Sequence, residues 1–198
     1  MKFSEFRKHT RNLIQIILAD LDKLQAFADQ VSFETTTIET TQVFHDGSVN
    51  GHDGSSRISR CTIPMTMVCF STIDMIGQWL KENNDDDFGS SAHTFLSILA
   101  SVDDLKNENA QIKLRRDFRN GIMHSFFARE SFGVSYSLFG PNSLFFDSFG
   151  RGSTLNVKFL MSKVRAGLNK FLFELNETQS EITDKAYKGF LLWKEREA

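Results

Sequence analysis

The chain has 198 residues, 40% of them hydrophobic and 24% charged, a globular rather than a disordered balance. Its net charge of −2 supplies no global cation for nucleic acid or anionic lipid, so any phosphate site must be a local patch. Two cysteines, Cys61 and Cys69, with no CxxC or Cys/His spacing, point to neither a disulfide framework nor a zinc site.

The length suits a single domain over 1–198. Phenylalanine supplies 20 residues against two each of Trp and Tyr, and a large ring without polar atoms belongs in a core or an interface. The N-terminus carries charges at helical spacing through its apolar residues, so it reads as an amphipathic helix rather than a leader. No stretch reaches the roughly 18 apolar residues of a membrane span, and a cytoplasmic protein without membrane contact is expected.

Ile14, Ile17, Leu18, Leu21, Leu24 and Phe27 recur at three- and four-residue steps and predict a helix over 4–29, with Ser4 placed to cap it. Residues 30–59 turn Thr-rich and then Gly/Asp/Asn/Ser-rich, which favours a long loop or a short hairpin. Within them Asp46, Ser48, Asn50 and Gly51 imitate the start of a calcium loop. The last ligand position holds Arg57 where a bidentate Glu is needed, and an ordinary turn-rich loop is the better reading. His45 and His52 fall in the same loop and read as surface histidines.

A second helix is predicted over 61–84, with Pro64 tolerated in its first turn and Asp85, Asp86 and Asp87 in the loop beyond. A third runs over 90–102, capped by Ser90 or Ser91, and a fourth over about 104–128. The period then changes. Residues 133–150 form two β-like runs around Gly140-Pro141-Asn142-Ser143, the pattern of a hairpin. A helix comes next over 154–176, with Val157, Leu160, Val164, Leu168, Phe171 and Leu175 as its stripe, and 178–198 adds a last short helix. The predicted class is all-α, an up-and-down helical bundle with a small inserted β-hairpin.

The fourth helix carries the chemistry. At about 100° per residue, Leu114, Phe118 and Ile122 form a core stripe. Lys113, Arg116, Asn120 and His124 fall in a narrow arc on the opposite side, with Arg119 at its flank. Asn120 and His124, four residues apart, are within reach of each other. A cationic strip with an imidazole suits a phosphodiester, although exposed charge is also the default for any helix face. Gly121 costs about 1 kcal/mol in a helix interior, which suits a helix that another chain approaches closely.

Arg119-Asn120-Gly121-Ile122-Met123-His124 resembles the Arg-polar-x-x-x-His motif of the HEPN superfamily. The context adds to the likeness: the motif falls late in a long helix, a β-like insertion comes after it, and the next helix opens Leu155-Asn156-Val157. The resemblance covers roughly 60–176 and, more weakly, the first helix. It implies a HEPN-like bundle that forms a homodimer through the motif helix, each site drawing on both chains. It further implies a metal-independent endoribonuclease needing no cofactor, with His124 in proton transfer, Arg119 on the scissile phosphate and Asn120 orienting the histidine; Lys113 and Arg116, from the cationic strip, are then expected on the RNA backbone. A toxin–antitoxin or phage-defence setting is implied by the same likeness, with an antitoxin or regulatory protein as partner. One branch modifies a tyrosine two residues after the histidine. Phe126 stands there in this chain, so that form of control does not carry over. The alternative is a non-catalytic HEPN module that binds nucleotides or a partner protein.

Overall fold

The computed structural model describes residues 1–34, 42–43, 49–50, 62–81, 88–125, 133–136, 142–147 and 153–196. Side chains 45–46, 52–53, 57, 85–87 and 126 fall outside the described residues, as does the Gly140-Pro141 step of the expected turn. The described chain is predominantly helical, with a small three-stranded sheet.

Helix α2 (Thr62–Leu80) sits at the centre. It packs against α1 (Phe3–Glu34), α3 (Phe88–Thr94), α6 (Val157–Asn176) and α7 (Glu181–Arg196). Met65, Cys69, Phe70, Ile73, Ile76, Trp79 and Leu80 are buried around its circumference, as expected of a helix with neighbours on every side. Pro64 stands in the first turn, where its missing N–H is no loss.

Two close approaches set the spacing. Gly77 of α2 lies against the backbone of Ser91 in α3, and Gly189 of α7 lies against the backbone carbonyl of Trp79. A Cβ at either glycine would overlap a carbonyl oxygen, so only glycine lets these helix pairs meet at that distance. An aromatic cluster then fills the α1–α2–α7 junction. Phe6 meets Trp79 at 5.9 Å and Phe190 at 5.2 Å, and Trp79 meets Phe190 edge-on at 5.5 Å.

Helix α1 is longer than the 4–29 expected. It starts at Phe3, with the Lys2 N–H donating to Glu5 Oε2 at 3.0 Å, so the Glu closes the first turn and Ser4 lies inside the helix. Its core positions are Phe6, Thr10, Ile14, Leu21 and Ala28; Phe27, expected in the stripe, is exposed because the contact repeats at a step of seven from Ile14. The Arg7 guanidinium donates to the carbonyls of Leu175 and Glu177 and so satisfies the C-terminal end of α6. Beyond α1, β1 (Gln42–Val43) and β2 (Val49–Asn50) pair antiparallel.

Helix α3 passes directly into a π-helical segment, Phe95–Leu99, so Ser90 and Ser91 lie within the helix rather than at its cap. The chain leaves this segment through Ser101, whose φ of 53° is in the left-handed region that usually takes glycine. After a 3₁₀ turn over Asp103–Leu105, Asn107 caps α4 (Glu108–Lys113) by accepting from the Asn109 N–H at 2.8 Å.

The predicted hairpin is replaced by a different sheet. Strands β3 (Gly133–Ser135), β4 (Phe145–Asp147) and β5 (Ser153–Asn156) lie in the order β3-β5-β4. β5 runs parallel to β3 and antiparallel to β4, so β3 and β4 are not neighbours. Residues 154–156, expected to open a helix, belong to the middle strand instead. Asn156 then caps α6, its Oδ1 accepting from the Phe159 N–H at 3.1 Å. All six residues of the expected α6 stripe are buried. The last helix, α7, is 16 residues long and capped by Ser180, whose Oγ accepts from the Thr183 N–H at 3.2 Å.

Burial pushes the Cys69 thiol up from 9.0 to about 12, and burial together with the hydrogen bond to Asp29 raises the Tyr136 phenol. Both groups are neutral in the fold and release protons more easily when unfolded. Stability from them is therefore full below pH 9 and falls as pH rises toward 12. Urea unfolding across that interval checks this: the slope with pH should be shallower in Cys69→Ala. Gly189→Ala should lower stability by about 1–3 kcal/mol through overpacking, despite alanine's better helix propensity. Lys188→Ala, one residue away and exposed, should stay within about 0.5 kcal/mol in the same melts.

Candidate functional site

The motif helix is not one regular α-helix. After α4 the chain adopts a π-helical segment, Leu114–Arg119, and then α5 (Asn120–Ser125). A π turn closes from i to i+5 and holds one residue more than an α turn, so it rotates the helix before it by about 100° relative to the helix after it. Lys113, which precedes the segment, is thereby taken off the arc it would share with Asn120 in a regular helix, while Arg116, inside it, is turned by only part of that angle.

The contacts of Lys113 bear this out. Lys113 Nζ meets Ser153 Oγ on β5 and stands 5.3 Å from the centre of the Phe145 ring on β4. Arg116 is exposed and donates to its neighbour Asp117 through Nε at 2.7 Å and Nη2 at 3.4 Å. Asp117 is only 2% exposed, and the hydrogen bond to it raises the Arg116 guanidinium further above its ordinary value. Leu114, Phe118 and Ile122 are buried as the expected core stripe, and Phe118 stacks on Phe145 at 5.5 Å.

Arg119 turns toward α2. Its Nη2 donates to Asp74 Oδ2 at 3.2 Å and its Nη1 to Asn120 Oδ1 at 3.1 Å. The two charged side chains are 27% and 31% exposed. Asn120, expected to orient His124, thus takes a hydrogen bond from Arg119. His124 lies on α5, and its side chain is outside the described residues. The structure brings Arg119 and Asn120 together, and places Lys113 and Arg116 on other neighbours.

Arg119 and Asp74 border a cleft of about 270 Å³ whose other lining residues include Phe70, Gln78, Trp79 and Trp193. Neither Asp74 nor Trp193 is a site residue that the sequence motif points to. A signal for Asp74 is present nonetheless: it is the one carboxylate in the apolar run CTIPMTMVCFSTIDMIGQWL. Trp193 has only a short tail helix to speak for it.

Comparison with family models, curated proteins and solved structures gives no match. Among the described residues no helix is long and apolar enough to cross a membrane.

The Arg119–Asp74 pair is partly solvated, and such pairs contribute about 1 kcal/mol or less. Asp74→Ala should therefore unfold within about 1 kcal/mol of the parent in urea. Arg116→Ala should show the larger drop in urea midpoint, because it leaves a buried carboxylate without its cation.

Proposed function

We propose that the chain is a HEPN-like, metal-independent endoribonuclease that acts as a cytoplasmic homodimer through its motif helix. The observation that carries this reading is the Arg119-Asn120-x-x-x-His124 run at the end of the long helical stretch, with the Arg119 guanidinium held beside Asn120 and partly open to solvent.

RNA brings its own nucleophile, the 2′-hydroxyl. His124 takes its proton as the 2′-oxygen bonds to phosphorus. The bond from phosphorus to the 5′-oxygen breaks, and the leaving oxygen takes a proton from an imidazolium, the partner copy's His124 being suited to that role. Arg119 supplies a forked, permanent cation for charge developing on the phosphorane. The products are a 2′,3′-cyclic phosphate and a 5′-hydroxyl, and the step balances without water, metal or redox partner. Lys113, turned toward the sheet, and Arg116, held by Asp117, serve RNA segments further from the cleaved bond. A toxin or phage-defence role, with an antitoxin or other regulator, accompanies the same reading.

A second reading has its own support. Arg119 already rests on Asp74 and Asn120, which suits a non-catalytic module in which the motif organises a binding surface.

Incubation with mixed RNA in EDTA separates the two. Cleavage should persist in chelator, yield cyclic phosphate ends by mass spectrometry, and fall at least about 100-fold in His124→Ala and in Arg119→Ala. Cleavage that requires added metal, or that survives both substitutions, removes the proposed chemistry.

A further inference from the structure

The cleft beside Arg119 has a floor and a wall that the cleavage chemistry does not use. The floor is one face of α2. Phe70, Asp74 and Gln78 form a row at four-residue steps, and Ser71, Met75 and Trp79 form the next row. The wall is Trp193, four residues after Gly189 and hence on the side of α7 that meets α2.

Phe70 and Trp79 are buried, whereas Trp193 is 37% exposed. Its ring is backed by Phe190 at 6.0 Å, which in turn rests on Trp79. An indole supported in this way keeps its orientation while leaving area for a ligand. At about 270 Å³ the cleft falls just below the roughly 300–1,000 Å³ of drug-sized sites. It suits one planar group and its substituent. The polar groups around it are of both signs: a guanidinium, a carboxylate, an amide and a hydroxyl, from Arg119, Asp74, Gln78 and Ser71.

We propose that this cleft is a nucleotide subsite, with a base stacked on Trp193, its edge against Asp74 and Gln78, and the adjoining phosphate on Arg119. The ligand class rests on the ribonuclease reading, while the test is binding rather than cleavage. Stacking on an aromatic ring tolerates any base, because every base has a π face. The carboxylate adds a preference. Asp74 accepts only: guanine, adenine and cytosine offer it an amino group, whereas uracil offers a single N3–H between two carbonyls that repel a carboxylate, so uracil binds more weakly. A free nucleotide and a nucleotide within RNA share this chemistry.

Isothermal titration of the full chain in EDTA tests it, with GMP, AMP, CMP and UMP as probes beside an all-2′-deoxy hexanucleotide that the proposed reaction cannot cleave. The parent should bind, with UMP weakest. Trp193→Leu should weaken binding by about 5- to 100-fold, the range of one base–aromatic stack. Trp193→Phe should retain most of it, and Asp74→Ala should erase the preference against UMP. If Trp193→Leu melts early, the latter two variants carry the test alone. Tighter binding of the hexanucleotide than of GMP supports a subsite for a strand, and equal binding supports a subsite for a free nucleotide. Absent binding, or binding indifferent to both Trp193 and Asp74, overturns the subsite even if RNA is cleaved. Binding that depends on Trp193 in a chain that cleaves nothing keeps the subsite and removes the nuclease reading.

Discussion

The backbone contacts of α2 are the constraint on which the rest depends. Packed helices usually stand about 8–10 Å apart, the distance their side chains require. At Gly77 and Gly189 no side chain intervenes, and α3 and α7 come to rest on α2 itself. The approach of α7 at Gly189 brings Trp193 beside Asp74. The approach of α3 at Gly77 fixes the helix that contacts α4 and the π segment behind Arg119. Bulk at either glycine would widen the gap and part the residues that border the cleft.

Within that frame the π segment decides which cation faces which neighbour. Lys113 is committed to the sheet, Arg116 to Asp117, and Arg119 to α2, so one short basic run serves three surroundings. The Arg119–Asp74 pair borders the cleft under Trp193. A partly solvated ion pair is easily exchanged, and a phosphate offers the guanidinium the same bidentate geometry as a carboxylate with more charge. Asp74 holds the Arg119 guanidinium at the border of the cleft.

Much of the fold was legible because it obeys simple periods. The α6 stripe from Val157 to Leu175 keeps to three- and four-residue steps and is buried throughout. The core stripe Leu114, Phe118 and Ile122 was equally plain, and all three are buried even though the π segment lies within it. What failed was extrapolation over longer spans. A fixed 100° per residue carried Lys113 onto the face of Asn120, and nothing in LRRDFR announces the extra residue in its turn. Phe27 was misplaced for the same reason, as small errors in period accumulate along a long helix. Thr154-Leu155-Asn156 suits either a strand or a first helical turn, and only pairing with β3 and β4 decides it. Asp74 was readable as an anomaly, but its partner lies 45 residues away and no local pattern links them.

The order β3-β5-β4 also bears on how the protein assembles. The central strand is the last of the three in sequence, and the outer two have no ladder to join until it arrives. A parallel pair with another strand's worth of chain between its members must close a longer loop than a hairpin does, which slows its formation. During synthesis β3 therefore waits for residues 153–156 and the helix they lead into. Such a delay keeps Lys113 from its contact with Ser153 until most of the polypeptide has emerged.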